Sequence, residues 1–188
     1  MLQVIAFCIV CMGFVPRLAS EDGDNAAVRL ARIEEIIGTS KFGIHDLSRC
    51  IAVNAGDFAR MNMPFELGID YGCRQFGSAA QRQKSVLVLE QAQRDYRVAL
   101  SDIAGWDIEY HGGDQTKAVR RVRNWLLGKP GSLGIGAAAI QAKHSTFQGW
   151  YLNQQLALGA SVEDVADYPS HQIIPDMVRW IELGEPAT

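Results

Sequence analysis

The run Ser85-Val86-Leu87-Val88-Leu89 limits the fold of this chain more than any other feature. It is short, aliphatic and without polar alternation, as in a strand covered on both faces. Around it, strand-like and helical segments alternate. Ala26, Leu30, Ile33 and Ile37 fall on one helical face, with Asp24 or Asn25 placed to cap the start and Gly38 the end. Lys41 to Leu47 predicts a short buried strand ending at His45-Asp46, and Ser48 to Arg60 a loop. Pro64 suits a helix first turn, so a helix is predicted over about 64–72, packed on the sheet through Phe65, Gly68, Ile69 and Gly72. After the central strand come a helix over about 91–103, a strand over 106–110 and an amphipathic helix over 114–127 with Ala118, Val122, Trp125 and Leu126 inward. Three further helical stretches follow, at 135–158, 162–168 and 174–183. This order predicts an α/β fold with an open, mostly parallel sheet over residues 1–130 and a helical extension, 131–188, packed on it.

The N-terminal segment Leu2 to Val15 is nearly all apolar, and Leu18-Ala19-Ser20 resembles a cleavage site. A signal peptide is the rival reading, but no Lys or Arg precedes the run as a positive n-region requires. The preferred reading is a buried helix from Leu2 to Met12, stopped by Gly13 and followed by a strand from Phe14 to Ala19. No apolar run reaches the roughly 18 residues that cross a membrane. The net charge of -3 gives no electrostatic reason to expect a nucleic acid partner. Of the four cysteines, Cys8 and Cys11 form a C-x-x-C, yet it lies inside an apolar helix, and Cys50 and Cys73 are too far apart to complete a zinc site. All four read as reduced, packed thiols, which points to the cytoplasm.

Ligands of open α/β sheets bind beyond the carboxyl ends of the strands. His45, Asp46, Ser48 and Arg49 stand at such an end, and Asn62 and Glu66 near the start of the next helix. Were Pro64 the first helical residue, Glu66 would be the third, where the helix dipole favours its charged form by roughly 0.3–1 kcal/mol. A rim carboxylate can act as a nucleophile or stabilise a cation. The competing reading is a capping-box glutamate, weakened because Met63 stands where Ser or Thr is wanted. Asp46 could hold a ribose hydroxyl or cap a turn, His45 could titrate or be structural, and Arg49 could meet phosphate or simply be a surface residue. Asn62 could donate to a ribose or base, or merely precede the helix. No metal or cofactor is implied.

The segment Phe65-Glu66-Leu67-Gly68-Ile69-Asp70-Tyr71-Gly72, followed by Lys84 and the strand from Val86 to Leu89, resembles nucleoside 2-deoxyribosyltransferase-like enzymes and related TIR-like domains of bacteria. It departs from their pattern at Asn62-Met63-Pro64 and at Asp70-Tyr71-Gly72. Gly43-Ile44-His45-Asp46-Leu47-Ser48-Arg49, Asn62 to Gly68 and Ser101 to Gly105 also resemble a family of uncharacterised bacterial proteins that brings no activity with it. The first resemblance implies a flavodoxin-like sheet and a pocket for a nucleoside, nucleotide or NAD. Glu66 would attack or stabilise the anomeric carbon as the N-glycosidic bond breaks, with Asp46 in support. It also implies a central first strand that this chain lacks, so that Met1 is expected to be a late start, unless the sheet is rearranged. Two other readings stay open. One is a non-catalytic nucleotide sensor of a bacterial defence or signalling system. The other is an interaction module using the helical region with Trp150, Tyr151 and Trp180. Homo-oligomer formation is left open.

Overall fold

The structure, a computed structural model, describes residues 1–19, 29–52, 54 and 56–187. Its elements are α1 (Leu2–Cys11), α2 (Arg29–Thr39), β1 (Phe42–Asp46), α3 (Asn62–Phe76), β2 (Ser85–Glu90), α4 (Tyr96–Ala99), β3 (Glu109–Tyr110), α5 (Gln115–Leu126), α6 (Ala137–Ala157), α7 (Val162–Asp167) and α8 (Ser170–Glu182). They form two compact units, one of residues 1–22 with 118–188 and one of residues 23–117. The break falls inside α5, and α1 belongs with the C-terminal helices, whereas the sequence suggests a division near residue 130. No helix among the described residues is long and apolar enough to cross a membrane.

The continuous unit is an α/β layer built on a small open sheet of three parallel strands in the order β1-β2-β3. β1 pairs directly with β2 from Phe42↔Ser85 to Asp46↔Leu89, so no slot for a central strand separates them. β3 is shorter than predicted, reduced to the pairs Leu89↔Glu109 and Glu90↔Tyr110. The helix predicted after β2 is broken into α4 and a 3-10 turn at Ser101–Ile103. Arg94, at φ 72 in the left-handed region, keeps the helix from running before Tyr96, and Leu100, at φ -135 and ψ 61, separates α4 from the 3-10 turn.

α3 starts earlier and ends later than predicted, and it buries a different stripe. Leu67, Asp70 and Pro64 face inward, while Phe65 is 57% exposed and a Cβ on Gly68 or Gly72 would meet only open space. Leu67 joins Leu47, Cys50, Val88 and Tyr96 in the core of this unit, with Met63 and Trp106 against them. In α2 the buried residues are Ile33, Ile36 and Ile37. The predicted cap at Asp24 or Asn25 and the start of that helix at Ala26 lie outside the described residues.

The second unit is helical. α1 is buried along most of its length, from Val4 to Cys11, which matches the buried-helix reading of that segment. Its Phe7 ring lies 5.1 Å from His144, 5.4 Å from Phe147 and 5.9 Å from Trp180, centroid to centroid, so α1, α6 and α8 share one aromatic core. Trp150, Tyr151 and Trp180 are buried, so they are core residues and supply no partner surface. The strand predicted from Phe14 to Ala19 does not form. Instead Gly13, at φ 87, donates its N–H to the Val10 carbonyl at 2.9 Å, and Phe14 donates to Ile9 at 3.1 Å. This is the Schellman closure of a helix end. α8 begins four residues before the predicted start and carries Pro175 within it.

Candidate functional site at the carboxyl ends of the strands

Adjacent residues of a strand leave opposite faces of the sheet. The alternation at the end of β1 sends His45 to one side and Asp46 to the other, and each nucleates a polar cluster. Both clusters lie in the continuous unit.

On the α3 side, His45 Nε2 lies 3.0 Å from Asp70 Oδ2, and Lys84 Nζ lies 3.2 Å from Asp70 Oδ1. All three residues are buried, at 5%, 1% and 4% exposure, so the pairing has to be intimate to offset desolvation. Lys84 Nζ also donates to the Ile37 carbonyl at 2.6 Å and to that of Ser40, closing the end of α2. Gly43 makes room for this triad, because a Cβ there would sit 2.0 Å from Asp70 Oδ2. The triad ties α2, β1 and α3 together and fixes the rotation of α3, which is why the helix turns its glycine stripe outward.

Glu66 is one turn before Asp70 on α3. The helix runs back against the strands, so at 1.5 Å per residue Glu66 lies about 6 Å nearer the carboxyl rim than Asp70. It is the fifth residue of α3, not the third, and is past the turn where the dipole acts strongly. Burial pushes its carboxyl above the ordinary value, and the charges of His45 and Arg29 offset only part of this. The ionised form is therefore disfavoured relative to water, the reverse of the dipole-based expectation.

On the other side, Asp46 Oδ1 accepts the Ser48 N–H at 3.0 Å and also the Ser48 hydroxyl. His111, which follows β3, completes the group: its Nε2 lies 3.0 Å from Ser48 Oγ and 3.5 Å from Asp46 Oδ1. His111 Nδ1 accepts the Gly113 N–H at 3.0 Å, so the ring proton belongs on Nε2. The chain of donors then runs from Nε2–H to Ser48 Oγ and from its hydroxyl to Asp46. The histidine is a donor to the serine, not its base, and this is not a nucleophilic triad. It is a fixed cradle of a carboxylate, a hydroxyl and an imidazole at the rim. The turn that presents His111 needs Gly112 and Gly113, at φ 64 and 74, and a Cβ on Gly112 would lie 2.8 Å from Tyr110 Oη. Asp114 then accepts the Thr116 N–H at 2.7 Å and opens α5.

Next to the cradle lies a small recess of about 20 Å³, lined among others by Leu47, Ser48, Ile51, Glu90, Asp95 and Tyr96. Glu90 is the last residue of β2 and is 3% exposed. Its Oε1 accepts the Arg94 N–H at 2.8 Å, while its buried Oε2 has no partner among the described residues.

The structure thus brings Asp46 and Ser48 together and adds His111 and Glu90, which sequence reading missed. It places His45 with Asp70 and Lys84, and Glu66 within electrostatic range of His45. Glu66 and Asp46 fall in separate clusters on opposite sides of β1. Arg49 is exposed, its carbonyl accepting the Arg60 N–H at 2.7 Å, and Asn62 is exposed at the first residue of α3 without capping it. The Cys8 and Cys11 thiols are both raised to about 12 by burial. Among the described residues no group of three or more His, Cys, Asp or Glu could hold a metal ion.

Fold and rim together define an α/β protein with a polar site beyond the carboxyl ends of a parallel sheet. No protein-family model, curated protein or solved structure matches the chain.

Proposed function

We propose that this protein recognises a nucleoside, nucleotide or NAD through its ribosyl group at the rim of a flavodoxin-like or TIR-like sheet. The observation that carries the reading is the Asp46–Ser48–His111 cluster, positioned at the carboxyl ends of β1 and β3. Open parallel sheets bind such ligands at that end. A carboxylate held by an Asx turn, beside a hydroxyl and an Nε2–H, offers the mixed acceptors and donors that sugar hydroxyls need. Binding of adenosine, AMP and NAD to the whole protein tests this by thermal shift, since a ligand that binds only the folded state raises its stability. Asp46→Asn and His111→Ala should each lose the shift. Absence of a shift with every member of the panel sinks the reading.

A second reading, N-glycosidic cleavage or transfer, is favoured by one observation, the half-buried Glu66 carboxyl within electrostatic range of His45, its acidity reduced by burial. A substrate lying across the end of β1 could meet Asp46 on one side and Glu66 on the other. Protonated, Glu66 would give its proton to the departing base. Ionised, it would stabilise the oxocarbenium-like sugar and take the proton of the water or acceptor hydroxyl that bonds to the anomeric carbon. Glu66→Gln separates the readings. Release of base that falls by at least about a hundredfold with binding retained supports catalysis, whereas turnover unchanged by the substitution, or absent from the parent protein, leaves recognition alone.

A further inference from the structure

We infer that the recess beside the rim cluster reads the amino group of a nucleobase, with Glu90 Oε2 as the acceptor. This rests on the proposal that the rim binds a ribosyl ligand and narrows it to bases that carry an exocyclic amine. The first observation is Glu90 itself, a buried carboxylate whose Oε2 is unpaired while its Oε1 is held by Arg94 N–H. A buried polar atom left without a partner is costly, and a ligand donor removes that cost on binding. The second is the small recess that the residue helps to line. Leu47, Ile51 and Tyr96 give it apolar walls, and Glu90 and Asp95 give it acidic ones. Apolar walls with acidic acceptors suit the edge of a heteroaromatic ring that bears N–H groups. The two carboxylates repel phosphate, so a phosphate of the same ligand points away from the recess. The sugar is left for the neighbouring cradle, where Ser48 borders both places.

Direct titration of the whole protein with four ribosides tests the inference. Adenosine and cytidine carry the amine. Purine riboside and 2-pyrimidinone riboside have the same rings without it and without any ring N–H. At least one aminated riboside should bind about tenfold or more tightly than its donor-free counterpart, as expected for a hydrogen bond to a charged acceptor. Glu90→Gln gives a sharper readout. Its amide oxygen can keep the Arg94 N–H, which turns an NH₂ donor toward the recess in place of an acceptor. The preference for the amine should then vanish or reverse, a change that a purely structural role for Glu90 does not produce. Affinities within twofold between aminated and donor-free ribosides of the parent protein overturn the inference and leave ribosyl recognition standing. Failure of all four ribosides to bind overturns both.

Discussion

At the scale of single residues, the most demanding position is one without a side chain. Gly43 is a strand residue with no need for unusual backbone angles; it is required because Asp70 Oδ2 occupies the space of its missing Cβ, at 2.0 Å. Neither side can retreat easily, since Asp70 is bound to His45 and Lys84 at once. Gly43→Ala should cost at least about 1–3 kcal/mol, the usual penalty of overpacking. Urea denaturation should show it as a lower midpoint with an unchanged slope. Glu66 gives a prediction in the other direction. Its carboxyl is raised by burial in the folded chain. The protonated form is thus favoured by folding. The corresponding stability is fully present below the unfolded value and is lost as the pH climbs through the folded one. Glu66→Gln, which stays neutral, should therefore raise Tm relative to the parent at pH 7, and the gain should disappear at pH 4. A gain that is larger in acid contradicts the assignment of burial as the cause.

At the scale of elements, legibility in the sequence follows how local each cause is. β1, β2 and the bodies of α2, α5 and α6 show in the spacing of apolar residues because their burial depends on their own periodicity. The break after β2 does not show, because it depends on Arg94 entering the left-handed region while Glu90 holds its N–H. The face of α3 was misread for a related reason. Phe65, Gly68, Ile69 and Gly72 make a regular stripe, but the orientation is decided by Asp70 meeting His45 and Lys84, contacts that span 25 residues in one case and 14 in the other. For α1, position in a helix and burial together decide the cysteine chemistry. Cys8 and Cys11 are both buried, and their thiols are pushed to about 12. Iodoacetamide at pH 8 should leave both unmodified in the folded protein and label both in urea, with mass spectrometry of the peptides as readout. Rapid labelling of Cys8 without denaturant contradicts the packing of α1.

At the scale of the whole molecule, the sequence discloses an α/β protein with helices gathered toward its C-terminus, but not how its ends are used. The reading of α1 as a buried helix needed only its composition. That it belongs with α6 and α8 needed Phe7 to find His144, Phe147 and Trp180, more than a hundred residues away. The candidate site was half legible for the same reason. A strand-end Asp46 and its near neighbour Ser48 are local and visible. His111 and Glu90 come from the ends of other strands, and only the parallel order of the sheet brings the first of them to Asp46.

The discontinuity of the helical unit also bears on how the chain matures on the ribosome. The segment 23–117 can collapse as soon as it has emerged, whereas Val4 to Cys11 must wait for partners that lie more than a hundred residues further along the chain. At ordinary rates of translation the delay is roughly ten to thirty seconds. Throughout it, the greasy α1 stays uncovered and open to capture by a chaperone, so a nascent chain stalled before α8 should be held by one, while a chain that includes α8 should be released.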